Sequence, residues 1–516
     1  MTDSTSRPTA THTAGSVDDR PVRARPRDWA ALVVLMLPVL LVSIDNTVLS
    51  FALPEISLEF ATSGTTLLWI VDSYPLVLAG LLVAMASFGD RFGRRRMLIV
   101  GAIGFGVLSV VAAFVESAGA LVASRAALGF FGAMLMPSTL SLLRNIFLDR
   151  EQRRLALAIW ASGFAAGSAL GPIVGGFLIE GFGWRSVFLL AVPMLALMLV
   201  FTPLLVPESK DPRPGPIDPL SVVLSIATLF PLVLAIKSLA TDGFGPVAMG
   251  GLTIAALAGV WFVRRQLARP VPMLDVRLFS YAPFSGAVLV NFLAVFSLTG
   301  FLYFGAQHLQ LVLGLRPVQS GLLLLPGLLM MIAMGLAAVR IVKRVHPRVV
   351  ISAALVLSAV GYLLIAVVGN GTSGVALAVA FAVLSAGIGA SETLSNDLIV
   401  SAVPAEKAGS AAGISETAYE VGAVFGTAVL GSILVSSYRD AIDLPAGLSD
   451  RQQAISSETL GGAINVAGEL PAPLGQALIE TARHAFDSGI TTTAGIGAVL
   501  MVAASYLAWR TLRHAR

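Results

Sequence analysis

Two glutamates, Glu416 and Glu420, lie one helical turn apart in the apolar stretch "AGISETAYEVGAVFG" of residues 412–426. Residues four apart on a helix point within about 40° of each other, so both carboxyl groups share one face. A charge at the centre of a bilayer costs roughly 2.5–3.5 kcal/mol, so this face should line a cavity rather than contact lipid. Burial and a neighbouring acid both favour the protonated form of a carboxyl group. Protons and a bound cation can therefore compete for this site.

Membrane helices must position these acids. The chain has 516 residues, of which 56% are hydrophobic and only 12% charged, and its mean hydropathy is +0.85. This composition predicts a helical membrane protein. Cysteine is absent, which excludes disulfides and thiolate metal sites.

Fourteen apolar stretches are long enough to cross a bilayer. We expect these spans at 29–52, 66–88, 97–116, 119–143, 155–179, 184–206, 219–239, 247–266, 284–312, 319–342, 349–368, 375–402, 408–436 and 489–511. Residues 1–27 are polar and should form a disordered N-terminal segment rather than a cleaved signal peptide.

The basic residues alternate between connections along the chain. They are concentrated in the loops after spans 2, 4, 6, 8 and 10, whereas the loops on the other side are poor in Lys and Arg, with Lys237 and Arg316 as isolated cases. This positive-inside pattern predicts that both termini lie in the cytoplasm. The pI near 9.6 is then a sign of topology and does not indicate nucleic-acid binding. The long external loop 437–488 should hold two short amphipathic helices, the first capped by Ser449, and a surface cap is its simplest role.

A nucleotide-driven mechanism is not supported. A phosphate-binding loop needs glycine before its lysine, and none of the four lysines follows a glycine. We expect no cofactor and no enzymatic activity. A channel, a sensor or a gradient-driven carrier remains.

The connection between spans 2 and 3 reads "SFGDRFGRRRML". A simple basic hairpin would need neither Asp90 nor the paired glycines Gly89 and Gly93. The stretch resembles the cytoplasmic loop signature of the major facilitator superfamily, with Ala86 in place of its usual first glycine. The resemblance implies that Asp90, with Arg91 and Arg94 beside it, lies against the N-terminus of span 13 and holds the cytoplasmic side shut.

Two further motifs support the resemblance. "GFAAGSALGPIVGG" in span 5 is similar to the antiporter motif of drug-efflux members, and its small residues allow close helix approach. Its motif residues are Gly163, Gly167, Gly171, Pro172, Gly175 and Gly176. Arg125 in span 4, followed by Gly129 and Gly132, resembles a third signature; an ordinary buried arginine paired to an acid is the alternative.

With "SIDNTVLSFALP" and "LWIVDSYPLVLAG" in spans 1 and 2, the chain resembles the fourteen-span drug:proton antiporter family, of the QacA and LfrA type, from Trp29 to Arg513. The resemblance implies an all-α membrane protein of the major facilitator fold, with two six-helix bundles around a central cavity. The N-terminal bundle would be 28–206, the linker and the inserted hairpin of spans 7 and 8 would be 207–282, and the C-terminal bundle would be 283–516. The hairpin would lie at the periphery of the two bundles.

The positions of the acids within their spans suggest a role for each. Asp45 and Glu420 should be the principal proton-coupling acids, supported by Asp72 and Asp397, while Glu416 and Glu392 shape the cation site. Span 10 lacks the acid that some relatives carry there, so the coupling acids could instead lie in span 12. Aromatic rings could stack on delocalised cations, although helix packing explains any single one equally well: Trp69, Tyr74, Trp160, Phe164, Tyr303 and Tyr419.

Three functions fit these observations. We predict a proton-coupled exporter of lipophilic cations and amphiphilic drugs, acting as a monomer in the cell membrane, with protons and lipid as its other partners. A carrier of the same fold for an endogenous metabolite or lipid is the alternative. A non-transporting sensor would require the cavity acids to be dispensable.

Overall fold

The computed structural model describes residues 23–211, 218–368, 373–403 and 408–514. Within these ranges the chain is helical, and fourteen helices are long and apolar enough to cross a membrane. Spans 1 to 7 are Pro26–Phe60, Gly64–Phe92, Arg94–Ala113, Ala118–Ile146, Glu151–Phe182, Ser186–Leu205 and Pro219–Asp242. Spans 8 to 14 are Pro246–Ala268, Ala282–Val312, Pro317–Ile341, Pro347–Val367, Gly374–Ser401, Ala411–Ala441 and Ala472–Thr511. The predicted number and order of spans are confirmed.

The connection between spans 13 and 14 is shorter than predicted. Span 14 begins at Ala472, because the second amphipathic stretch continues directly into the apolar helix. The first predicted loop helix is present as Asp450–Glu458, and the Ser449 hydroxyl caps it by accepting from the Gln452 amide. A further short helix follows at Leu460–Glu469. The connection is therefore 442–471 rather than 437–488.

Two groups of six helices form the body of the protein. Spans 1–6 pack mainly with one another, and so do spans 9–14. The two groups meet chiefly where span 5 packs against span 10 and where span 2 packs against span 13. Glycine permits the first contact, because a Cβ at Gly176 would lie 2.7 Å from the Pro317 carbonyl oxygen. These groups are called the N-terminal and C-terminal halves below; the domain boundaries stay predictions.

Among the described residues, three polar contacts join the halves at the end that holds 442–471. Arg316 forms an ion pair with Glu180 at 2.7 Å, and the Gln310 amide donates to the Phe51 carbonyl at 3.1 Å. Asn465, in the connection, donates to the Leu58 carbonyl at 2.5 Å. This end of the protein is thus held shut in the described conformation.

Spans 7 and 8 form a hairpin whose two helices are tied at one end. The Asp218 carboxylate, just before span 7, is 2.9 Å from an Arg265 nitrogen and 3.2 Å from Arg269 Nε. Burial alone would raise the pKa of Asp218, but hydrogen bonds from Arg265 and Ser221 outweigh it and lower that pKa to about 2. The hairpin was expected at the periphery. Span 7 nevertheless packs against span 2 of one half and against the last turns of span 13 of the other.

Candidate functional site

Asp45 and Arg125 form a buried ion pair between spans 1 and 4. Arg125 Nη1 lies 2.6 Å from Asp45 Oδ2, and the arginine is 1% exposed. Arg125 Nε donates to the Ile70 carbonyl at 3.3 Å, and its guanidinium carbon lies 4.5 Å from the centre of the Tyr74 ring. The pair therefore ties three helices of the N-terminal half. Asp45 has a fixed counter-charge in this conformation. The alternative explanation of Arg125, a buried arginine paired to an acid, predicts such a pair.

The two glycines after Arg125 permit this arrangement. A Cβ at Gly129 would collide with the Tyr74 carbonyl oxygen, and one at Gly132 would lie 3.2 Å from the Tyr74 hydroxyl. Span 4 therefore approaches span 2 closely at Tyr74. That closeness brings the aromatic face under the guanidinium group.

Glu420 reaches the same region from span 13. Its side chain is 3% exposed, lies against the Asn46 side chain and interacts electrostatically with Asp45 and Glu416. Its Oε2 has no hydrogen-bond partner among the described residues. The structure thus brings the two predicted principal acids together from opposite halves. Asp45 is paired with an arginine, whereas Glu420 has no cation partner within the described ranges. A buried carboxylate without a cation is stabilised by taking up a proton or binding a cation.

Glu416 has a different neighbour. It is partly exposed although it lies inside a span, and it interacts electrostatically with Arg144 of span 4. Glu392 of span 12 is also partly exposed, and it interacts electrostatically with Tyr419 on the next turn of span 13 from Glu416. Tyr419 therefore interacts with acids from both helices, Glu392 of span 12 and Glu420 of span 13. Asp397 is exposed near the end of span 12.

An aromatic row links the halves at this level. The Phe164 ring of span 5 lies 5.2 Å from Trp160 and 6.1 Å from Tyr419, measured between ring centres. Trp160 Nε1 donates to the Thr139 hydroxyl at 3.1 Å, which fixes the indole. Rings from both halves beside the Glu420 carboxylate are suited to a delocalised organic cation.

Asp72 and Trp69 lie elsewhere. The Asp72 carboxylate is 2.8 Å from Lys237 Nζ of span 7, and both side chains are at most 1% exposed. The ammonium nitrogen also lies 3.8 Å from the centre of the Trp69 ring. Both predicted site residues thus face the inserted hairpin and hold a cation from the protein itself. Lys237 was predicted in an external connection. That prediction is wrong, because the helix continues through it to Asp242.

Sequence reasoning missed Lys237 as a partner because its position near the end of an apolar stretch resembles a loop lysine. The sequence nevertheless contained a signal that Lys237 needs a partner. A charged residue within five residues of the end of a span, with helix-forming neighbours on both sides, needs a buried acid or a route to the interface. Asp72 was the only acid in span 2 before the signature loop.

The signature loop between spans 2 and 3 is held by the chain that follows span 6. Asp90 accepts hydrogen bonds from Arg94 Nε at 3.0 Å and Nη2 at 2.7 Å, and Arg91 is exposed. Gly93 has φ +111°, and a Cβ there would lie 2.9 Å from the Glu208 carboxylate. Glu208 in turn accepts from the Arg95 amide at 3.1 Å. The predicted contact of Asp90 is with the N-terminus of span 13, whose helix begins at Ala408. Residues 404–407, just before it, lie outside the described residues, and the contact stays a prediction.

The glycines of span 5 allow close contact with two neighbouring helices, spans 1 and 10. A Cβ at Gly163, Gly167, Gly171 or Gly175 would collide with side chains of span 1. Gly176 and Pro172 instead face span 10, where a Cβ at Gly321 would collide with the Pro172 carbonyl oxygen. One motif therefore fixes span 5 both inside its own half and against the other half.

The fold and this charged cluster between two helical halves define a membrane transporter. The family model of the Major Facilitator Superfamily matches residues 35–427 of the chain. The chain therefore belongs to this superfamily, whose members are transporters rather than enzymes. The chain is 54% identical over 483 residues to the multidrug efflux pump LfrA of Mycolicibacterium smegmatis, covering 94% of this chain and 96% of that protein.

Other relatives and solved structures agree. The chain is 37% identical to the methyl viologen resistance protein SmvA of Salmonella typhimurium, covering 89% of this chain and 93% of SmvA. It is 32% identical to the tetracenomycin C resistance and export protein of Streptomyces glaucescens, covering 93% of this chain and 91% of that protein. The crystal structure of a bacterial homologue of the human lysosomal transporter Spinster, inward-facing and unoccupied, has a TM-score of 0.65 at 17% identity over 96% of this chain and 99% of that one. The predicted major facilitator fold is confirmed.

Proposed function

We propose that this protein is a proton-coupled multidrug efflux antiporter that exports lipophilic cations and amphiphilic drugs by alternating access. Dyes, quaternary ammonium compounds and fluoroquinolone-like drugs are the expected substrates. The observation that carries the proposal is the buried Glu420, which has no cation partner among the described residues and lies beside Asp45 at the contact between the halves. The names of the relatives support export of drugs as the activity.

The geometry suggests how protons and drug exclude each other. A drug cation between Glu420, Tyr419 and Phe164 would neutralise the carboxylate, and a proton on Glu420 would remove the charge that attracts the cation. Such competition is reciprocal, so a proton gradient can drive the cation outward. Asp45 is less free to take part, because protonating it would leave the buried Arg125 without its counter-charge.

Topology follows from the basic loops. We propose that the end with Asp90, Arg94 and Arg95 faces the cytoplasm of a plasma-membrane protein with both termini inside. The end with 442–471 then faces outward, and the contacts that close it belong to a state open to the cytoplasm. The protein would work as a monomer, because each half already contributes to the site within one chain.

Inside-out vesicles test the proposal. Acidifying the lumen should drive ethidium into vesicles that contain the protein, and an uncoupler should abolish the uptake. Vesicles without the protein serve as the control. Uptake that survives the uncoupler would exclude proton coupling, and no uptake of several cationic dyes by correctly folded protein would favour an exporter of an endogenous metabolite or lipid.

A further inference from the structure

Spans 10 and 11 leave an apolar groove between them. Both helices pack extensively along span 12 and much less against each other. Ala386 and Ala390 of span 12 form the floor, Met334 and Ile341 belong to one wall, and Val349 and Leu357 belong to the other. The groove has a volume of about 270 Å³, and every side chain that lines it is apolar.

The groove opens on the outer surface of the helices. Ile341 is 41% and Val349 38% exposed, and neighbouring side chains such as Leu336 at 60% and Val356 at 46% continue the apolar surface. From Val349 to Leu357 the groove follows span 11 for about 12 Å at 1.5 Å per residue. In a membrane this surface faces hydrocarbon, so the groove is shaped to take a chain of methylenes rather than water.

One end of the groove is strongly basic. Arg340, Lys343 and Arg344 are all exposed, and none of them forms an ion pair with an acid in the part of the chain that the structure describes. The sequence contains no acidic residue between Asp275 and Glu392. Among the described residues, these three positive charges therefore have no acidic partner and can meet a ligand.

The basic end of the groove lies at the depth in the membrane where lipid headgroups are found. The guanidinium carbon of Arg348, at the start of span 11, lies 4.2 Å from the centre of the Trp509 ring, and Trp509 is 38% exposed. Exposed tryptophans beside basic residues are typical of the membrane interface. Arg340, Lys343 and Arg344 are thus placed to meet headgroups while the groove extends into the hydrocarbon.

We propose that this groove is a specific site for an anionic phospholipid. One acyl chain lies in the groove, and Arg340, Lys343 and Arg344 hold the phosphate-bearing headgroup. A cationic drug would meet three like charges here, and a phospholipid without net charge would gain little from them. The inference concerns a surface remote from Glu420 and does not depend on the proposed transport activity.

Native mass spectrometry of the purified full-length protein in detergent tests the site. Phosphatidylglycerol and phosphatidylcholine with identical acyl chains are the probes. The wild type should retain phosphatidylglycerol in preference by on the order of tenfold, since each basic side chain near the surface favours an anionic headgroup. The triple variant Arg340→Gln/Lys343→Gln/Arg344→Gln should lose this preference, and Arg264→Gln/Arg277→Gln, which neutralises two exposed arginines elsewhere, should keep it.

A second variant tests the groove itself. Ala353→Leu fills it from an exposed position on span 11 and should reduce phosphatidylglycerol retention, whereas Ala333→Leu, exposed on span 10 outside the groove, should not. Equal retention of the two lipids by the wild type would overturn the proposal, as would unchanged retention in Ala353→Leu. Loss of ethidium binding in Ala353→Leu with lipid binding unchanged would assign the groove to substrate and also overturn it.

Discussion

Lys237 of span 7 and Asp72 of span 2 form a fully buried ion pair, with 2.8 Å between the ammonium nitrogen and a carboxylate oxygen. The pair connects the inserted hairpin to the N-terminal half. Beside it, Val233 of span 7 packs with Leu76 of span 2 and with Val424 and Ala428 of span 13. The hairpin thus covers the contact between the halves, and among the described residues its ion pair to the halves is the one with span 2. When the halves move, it should travel with the N-terminal half and slide along span 13.

The first prediction concerns this pair. Lys237→Met should destabilise the protein by about 3–5 kcal/mol, because it leaves a carboxylate buried without its partner. The double variant Asp72→Asn/Lys237→Met should recover most of the stability, since neither residue is then charged. Thermal unfolding of the purified protein in detergent measures both, and Asp242→Asn at the end of the same span is the control. If the double variant is as unstable as Lys237→Met, the pairing of the two charges does not explain their effect on stability.

The second prediction concerns Asp90 in the signature loop. Asp90→Asn should change stability by no more than about 1 kcal/mol, because its bridge to Arg94 is partly exposed. Transport should nevertheless fall by roughly 5- to 150-fold, the range of typical coupling energies, if the carboxylate selects one access state. Ethidium efflux normalised to the amount of folded protein is the measurement, and Glu116→Gln, exposed in the loop after span 3, is the control. Near-normal efflux by Asp90→Asn would contradict the gating role.

The third prediction concerns the glycines of span 5. Gly171→Leu should abolish export or make the carrier leak, because the new side chain would occupy the position of the Thr47 hydroxyl on span 1. Gly181→Leu on the same helix should be tolerated, since a Cβ there has no neighbour within 4 Å. Dye transport and proton leak in reconstituted vesicles distinguish the two. Equal effects of both substitutions would remove the packing explanation of the motif.

Much of the fold could be predicted because each span carries its own signal. Apolar length predicted the number and order of the helices, and the basic loops predicted a topology. The length of span 14 could not be predicted in this way, because its first turns are amphipathic and become continuous with the span only through packing. The small residues of span 5 predicted close contact but not that span 1 and span 10 would share them.

The site could be predicted only one residue at a time. Asp45, Arg125 and Glu420 were recognised individually as costly charges in a membrane. Their arrangement, with Arg125 paired to Asp45 and Glu420 without a cation in the part of the chain that the structure describes, depends on which helices pack together. The same limit applies to Asp72, whose partner lies 165 positions further along the chain, in a helix whose lysine resembled a loop residue. Charge and hydropathy reveal that a partner is required without identifying it.

The last prediction concerns Glu420 as the residue where proton and drug compete. Glu420→Gln removes the ionisable group and keeps the shape, so ethidium binding in detergent should lose part of its pH dependence. Counterflow exchange should survive better than gradient-driven efflux, because exchange needs no proton. Fluorescence titration of ethidium at several pH values, with both transport assays on the same preparation, measures these effects.

Glu416→Gln is the matched comparison, one turn away on the same helix. Its side chain is partly exposed and acts near Arg144 rather than Asp45, so the substitution should weaken binding of cations and spare neutral amphiphiles. Asp397, exposed near the end of span 12, should tolerate Asp397→Asn with little loss of efflux. If Glu420→Gln pumps like the wild type while Asp397→Asn or Glu392→Gln is inactive, proton coupling belongs to span 12, and the carboxylate beside Asn46 has a structural role only.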